Sequence, residues 1–146
     1  MKYHQNVKIK NIDSQKVSLA FHNIKLVEFL TSLQPIKIIS WLGITDGKIA
    51  YFQLWFLGWK NFKVKHENYK INSNGLSFID RGIELPLGIK TWIHEHAVKK
   101  DGKDTIIEDS LYFSHSNNYI GYILFPLLIF PIFIRRILYQ IYFLKK

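Results

Sequence analysis

Between Ile36 and Phe113 the chain consists of strand-like segments separated by short turns, and this succession limits the fold more than any other feature. Several segments alternate apolar and polar residues, a pattern typical of strands with one buried face. Phe62, Val64 and His66, for example, alternate with charged residues. Turn signals lie at Asp46-Gly47, at 72–75 and at Asp101-Gly102. The pattern therefore predicts about six strands joined mainly by hairpins.

The N-terminal part predicts one further strand and two short helices. Residues 2–12 alternate in polarity, as in a strand with one wet face. Asp13 and Ser14 are favourable N-cap residues, and Asn23 begins a second helix in the same way. Pro35 ends that helix.

The segment from Tyr119 to Lys146 is strongly apolar and contains two prolines. Its charge-free part has 16 residues, 119–134, whereas a bilayer-spanning helix needs roughly 18 or more. Its second half carries an apolar stripe at helical spacing, opposite polar residues that include Arg135 and Arg136. The stripe consists of Phe130, Phe133, Ile134, Ile137, Leu138, Ile141 and Leu144.

We predict that this segment is a helix whose apolar stripe packs on the protein's own sheet, with Arg135 and Arg136 on its outer face. Three alternatives stay open for residues 119–146, namely a membrane-spanning helix, contact with a membrane surface, and burial against a second copy in a homodimer. In each case the apolar run 120–130 has to be covered.

The composition narrows the class of protein. A chain of 146 residues with 48% hydrophobic residues is enough for one domain with a real core. The absence of cysteine excludes disulfides, Cys-ligated zinc and thiol catalysis, and fits a cytoplasmic location. The net charge is +9, but only three of the 20 basic residues are arginine, so we do not expect a nucleic-acid partner.

The order of elements and a string of motifs resemble the SRPBCC superfamily, which contains START domains, pollen allergens and polyketide cyclases. The motifs are Phe78-x-Asp80, Trp92-x-His94-x-His96, Asp101-Gly102 with Thr105, Asp109-x-x-Tyr112 and Arg135-Arg136-x-Leu138-x-x-Ile141-Tyr142. This string is similar to that of a bacterial branch of ligand-binding SRPBCC proteins and covers residues 1–146 as a single domain. The resemblance implies an α+β helix-grip fold, with a curved seven-stranded antiparallel sheet around a long C-terminal helix and two short helices after the first strand.

The resemblance also implies a cavity between the sheet and the C-terminal helix. We expect it to bind a hydrophobic or aromatic small molecule, lipid-like or polyketide-like, without a defined reaction and without a cofactor. The candidate ligand-binding residues are Phe62, Phe78, Trp92, His94, His96, Phe133 and Ile137. The alternative is an enzyme of the cyclase or hydrolase kind that uses His94 or His96 as general base.

The segment Thr91 to His96 contains the two histidines that are the strongest candidates for a catalytic or metal-binding role. In a strand, Trp92, His94 and His96 share one face. A metal site needs three or four ligands, and Asp80 or Asp109 would have to supply a third. No third ligand is clear from the sequence, so we predict that the pair binds no metal.

The partners of the histidines depend on the hairpin at Asp101-Gly102. A two-residue turn at these positions would place His94 opposite Asp109, and a one-residue bulge would place Glu108 there instead. Asp80 is either a polar anchor in the cavity wall or the cap of a turn at 81–82, and we favour the turn.

Overall fold

The structure, a computed structural model, describes residues 1–144. Its elements are β1 (Lys2–Ile9), α1 (Ser14–Phe21), α2 (Ile24–Thr31), β2 (Ile36–Trp41), β3 (Ile49–Trp55), β4 (Trp59–Asn72), β5 (Gly75–Glu84), β6 (Ile89–Asp101), β7 (Asp104–His115), α3 (Asn118–Phe133) and α4 (Arg135–Leu144). The strands form one antiparallel sheet in the order β1-β7-β6-β5-β4-β3-β2. The predicted helix-grip fold is confirmed.

The helices begin where short polar side chains cap them. The Asp13 carboxylate accepts a hydrogen bond from the Gln15 amide (3.1 Å), and the Asn23 side chain accepts one from the Lys25 amide (2.9 Å). Asn117 caps α3 in the same way. These bonds satisfy amide groups that have no partner within the first turn of a helix.

Two apolar clusters fill the space between the sheet and the helices. One joins α1, α2 and α4 to the sheet, through residues such as Phe21, Leu26 and Phe143. The other joins α3 to the sheet and includes Trp92 and Ile132. α3 and α4 thus cover different parts of one sheet face.

The β6–β7 hairpin turns one residue later than predicted. Asp101 pairs with Asp104, which leaves Gly102, with a φ of +60°, and Lys103 in the turn. His96 therefore lies opposite Asp109 and His94 opposite Leu111, so the predicted register is wrong, although the His94 side chain still reaches Asp109 diagonally. Because the offset is two residues, every side chain stays on its expected face.

The C-terminal helical segment runs from Asn118 to Leu144, with a local break at Ile134 between α3 and α4. The predicted inward stripe is largely wrong, since of its residues only Leu138 is fully buried and Ile134 is partly buried against the core. The buried positions are Gly121, Leu128, Ile129, Ile132, Leu138, Tyr139 and Phe143. α3 is apolar on every side, so its periodicity could not select the face that packs on the sheet.

The face that turns outward instead is apolar along the whole segment. We call this face the outer stripe. It consists of Tyr119, Ile123, Leu127, Phe130, Phe133, Ile137, Ile141 and Leu144, all exposed and spaced by three or four residues. Within the described chain, Asn118–Leu144 is the one helix long and apolar enough to cross a membrane, and 28% of its most apolar 18-residue window is buried.

Candidate functional site

A cavity of about 230 Å³ lies between the sheet and the helices. Five of the predicted ligand-binding residues line it, namely Phe62, Phe78, Trp92, His94 and His96. The other two, Phe133 and Ile137, lie outside it on the outer stripe, 49% and 58% exposed. The amphipathic pattern predicts that their face of the helix packs on the sheet, whereas in the structure this face is exposed.

Aromatic rings make up much of the inner surface of the cavity. Phe62 and Trp92 meet edge to face with their ring centroids 5.0 Å apart, and Phe78 stacks on His96 at 4.5 Å. Both geometries are favourable for aromatic pairs. The cavity therefore has fixed, mostly apolar walls.

One wall of the cavity is polar and is built around two carboxylates, Asp80 and Asp109. We call the whole set the polar network. Its members are Gln5, His66, Asp80, His94, His96, Asp109 and Arg135. Except for Gln5 and Asp109, all of them line the cavity.

Asp109 is completely buried and joins β7 to three other parts of the fold. His94 Nε2 lies 2.9 Å from its Oδ1, and Gln5 Nε2 donates to its Oδ2 at 3.2 Å. Arg135 Nη1 lies 3.6 Å from the same Oδ1. The prediction that Arg135 points outward is therefore wrong, because the arginine turns inward to a buried negative charge.

Asp80 lies in the middle of the pairing between β4, β5 and β6, not in a turn, so the favoured turn interpretation is wrong. His66 Nδ1 lies 2.5 Å from its Oδ1, and His96 Nε2 lies 2.8 Å from its Oδ2. β5 continues through Arg81 and Gly82 to Glu84, with Ile83 as an extra residue between the pairs Val64–Gly82 and Lys63–Glu84.

His66 and Gln5 are the two members of the polar network that the sequence does not indicate as site residues, and His66 is the one that lines the cavity. Its strand alternation with Phe62 and Val64 already placed it on the cavity face. It lies 28 residues before His94 in the chain, and only the β4–β5–β6 register brings it to Asp80. A pairing of this kind cannot be read from local spacing.

The surroundings shift the pKa values of the neighbouring His94 and His96 in opposite directions. Burial, together with the positive charge of His96, lowers the pKa of His94 to about 4. Burial alone would also lower the pKa of His96, but the charge of Asp80, the hydrogen bond to that carboxylate and the nearby Asp109 carboxylate raise it above the ordinary value. Their ring centroids are 3.9 Å apart, so two imidazolium ions here would repel each other strongly.

The carboxylates stay ionised in this setting. Burial would raise the pKa of Asp109, but the hydrogen bond from His94 and the neighbouring His96 hold it well below its usual value. The pKa of Asp80 is likewise lowered against the effect of burial, by the charge of His96 and the hydrogen bond from His66. Two negative carboxylates thus face the Arg135 guanidinium and the His96 imidazolium, so these four charges balance.

Asp80, His94 and His96 also form a group that could hold a metal ion. One ligand atom from each residue lies within 4.8 Å of those of the other two. The predicted same-face arrangement of the two histidines is confirmed, and the third member of this group is the carboxylate of Asp80, whose role the sequence leaves undecided.

No protein-family model and no curated protein matches the sequence. Solved structures do match the fold. Protein Ms6760 from Mycobacterium smegmatis has a TM-score of 0.69 at 6% identity, over 99% of this chain and 91% of that chain. Norcoclaurine synthase from Thalictrum flavum has a TM-score of 0.68 at 16% identity, over 100% and 87% of the two chains.

The match to Ara h 8.0201 covers 100% of this chain and 99% of that chain, with a TM-score of 0.58 at 13% identity. Ara h 8.0201 and norcoclaurine synthase are Bet v1-like proteins of the SRPBCC superfamily. At these identities the likeness concerns the fold, and at that level it supports the resemblance that the sequence motifs suggested.

Proposed function

We propose that this protein is a cytoplasmic member of the bacterial ligand-binding SRPBCC branch and binds a small hydrophobic or aromatic molecule. The observation that carries the proposal is the cavity, with aromatic walls on most sides and one charged wall. Such a combination of apolar lining and a few convergent polar groups is typical of small-molecule sites.

The size of the cavity restricts the ligand. Its volume of about 230 Å³ lies below the range of about 300–1,000 Å³ that is usual for ligand pockets. We therefore propose a ligand of one or two rings. Norcoclaurine synthase, whose fold is similar, has been solved in complex with dopamine and hydroxybenzaldehyde, which are single-ring aromatic molecules.

The test is ligand-observed NMR with a panel of one- and two-ring phenols, aromatic aldehydes and aromatic acids. We expect at least one to bind to the wild-type chain. An Ala50→Phe variant, which places a ring at a buried position in the lining, should lose this binding. The exposed Ile137→Ala variant is the matched control and should keep it. If no member of the panel binds, or if Ala50→Phe binds as well as wild type, the proposal is wrong.

We do not extend the proposal to a reaction. A general base should have a pKa near the working pH. The low pKa of His94 makes its imidazole a weak base, and both ring nitrogens of His96 already face carboxylates, Nε2 that of Asp80 and Nδ1 that of Asp109. Neither histidine of the cyclase or hydrolase alternative is therefore suited to accept a proton at neutral pH.

A second candidate function is contact with a membrane surface, and the outer stripe favours it. Eight apolar side chains on one helical face have no cover within the described residues, and Leu127, Phe130 and Pro131 extend from that helix to the cavity. A chain with a net charge of +9 is attracted to anionic lipid. The ligand could then enter the cavity from the lipid side.

Sedimentation with vesicles tests this contact. We expect the wild-type chain to bind vesicles that contain phosphatidylglycerol, and an Ile123→Ser/Phe130→Ser double variant to bind at least tenfold more weakly. Leu19→Ser is the control, since Leu19 is an exposed leucine on α1. If light scattering shows a dimer that the double variant abolishes, while vesicle binding is absent, a second copy covers the stripe instead.

A further inference from the structure

Three side chains meet at the cavity wall with the composition of a metal site. Asp80, His94 and His96 offer ligand atoms within 4.8 Å of one another, and both histidines are buried. All three line the cavity. Two imidazoles and one carboxylate on one side of an ion leave the remaining coordination positions open.

The groups that would orient these ligands are already in place. His94 Nε2 is held by Asp109 at 2.9 Å, which leaves its other ring nitrogen for a metal. The Oδ1 of Asp80 is held by His66 at 2.5 Å, which leaves Oδ2. Metal-binding histidines and carboxylates in proteins are regularly supported by such outer hydrogen bonds.

His96 and Asp80 show where an ion would enter. His96 Nε2 and Asp80 Oδ2 lie 2.8 Å apart and share one proton. A metal ion binds nitrogen and oxygen ligands at about 2.0–2.2 Å, so it can take the place of that proton with a small separation of the two groups. The Nδ1 of His96, 3.4 Å from Asp109 Oδ1, would then face its own supporting carboxylate.

We propose that Asp80, His94 and His96 bind one divalent first-row transition-metal ion at the polar wall of the cavity. Imidazole and carboxylate ligands suit zinc, cobalt, nickel and ferrous iron. The sequence-based expectation of a metal-free pair rested on the lack of a clear third ligand, and Asp80 is that ligand.

The net charge of the metal site then restricts the charge of the molecule that can bind in the cavity. This inference rests on the proposed function. With the ion in place of the His96 proton, Asp80, Asp109, Arg135 and the metal carry a net charge of one positive unit. A buried net charge is costly unless it is compensated. An apolar ligand with one anionic oxygen donor, such as a carboxylate or phenolate, would complete the coordination and restore neutrality.

The experiment uses the full chain, without a histidine tag, after treatment with a chelator. Titration calorimetry with ZnCl₂ and with CoCl₂ should show one ion bound per chain. Asp80→Asn and His94→Gln should weaken binding at least tenfold, and Asp109→Asn should weaken it about 10–100-fold through the orientation of His94. His4→Gln is the matched control, because His4 is exposed and bonds only to Ser110 in the described structure.

A second measurement does not depend on the folding of any variant. In the wild-type chain, zinc should shift the ¹⁵N signals of the His94 and His96 side chains and leave those of His4 and His22 unchanged. The proposal is wrong if no ion binds, if zinc shifts only His4 or His22, or if His94→Gln binds zinc as tightly as wild type. Failure of the aromatic panel with intact zinc binding would leave the metal site standing and remove only its ligand.

Discussion

At the scale of single residues, His94 shows how burial changes the chemistry of a common side chain. It is 3% exposed and is faced by Asp109, His96 and Arg135. Because burial and the charge of His96 oppose protonation, its pKa of about 4 lies well below the ordinary 6.5. Between these two pH values, His94 is therefore neutral in the folded chain and protonated in the unfolded chain.

This difference predicts a specific dependence of stability on pH. As the pH falls from 6.5 towards 4, the unfolded chain gains a proton at His94 and the folded chain does not, so the free energy of unfolding decreases. The share of His94 is about 3 kcal/mol over this window. His94→Gln lacks this share, so the stability difference between wild type and the variant should shrink as the pH falls.

Urea unfolding of both chains between pH 7 and pH 4.5 measures the effect. His96 contributes with the opposite sign, since a raised pKa stabilises the folded chain at low pH, but it is present in both proteins. Parallel stability curves for the two chains would show that the His94 imidazole titrates normally.

At the scale of elements, the orientation of the C-terminal helix is the feature most open to a direct test. Ile132 is 2% exposed on the sheet side, and Ile137 is 58% exposed on the outer stripe. Ile132→Ala should lower the free energy of unfolding by about 2–5 kcal/mol, because it leaves a cavity in the core. Ile137→Ala should change it by less than about 0.5 kcal/mol.

The two isoleucine variants are controls for each other, since the chemical change is identical. Denaturant unfolding at one pH is sufficient to compare them. A larger loss for Ile137→Ala than for Ile132→Ala would mean that the helix is turned as the amphipathic pattern suggested.

The strands were predictable from the sequence, whereas the helix face was not, and the reason is physical. Strands β4 and β6 have one wet face, so polarity alternates and marks which side chains point inward, as for Trp92, His94 and His96. α3 has no polar face, and its orientation depends on distant groups. One of these is Gln5, whose side chain donates to the carbonyl of Ile132 at 2.8 Å.

The residues of the candidate site likewise divide into those that the sequence predicts and those that it does not. The aromatic lining followed from strand alternation, but the assembly of the polar network did not. Asp80 meets His66 and His96 only through the pairing of three strands, with register shifts between β4 and β5. The sequence predicts Arg135 on the outer face because charged residues usually face water, and the attraction to the buried Asp109 outweighs that tendency.

At the scale of the whole molecule, the polar network ties the first strand to the last helices. Arg136 Nε donates to Gln5 Oε1 at 3.2 Å across 131 residues of sequence, and Gln5 in turn donates to Asp109. The N-terminal strand and the C-terminal helix thus depend on each other, and a large part of the chain must be present before the cavity wall is complete.

The two edge strands of the sheet, β2 and β1, are the places where a second chain could pair with the backbone of this protein. β2 is a six-residue edge strand, and its pairing is interrupted between Ile38 and Ser40. At the opposite edge, β1 is packed against α4. A short, irregular edge is a poor template for backbone pairing with a second chain. Strand addition at β2 is therefore disfavoured, whereas the outer stripe offers exposed apolar side chains for a self-association that detergent would reverse.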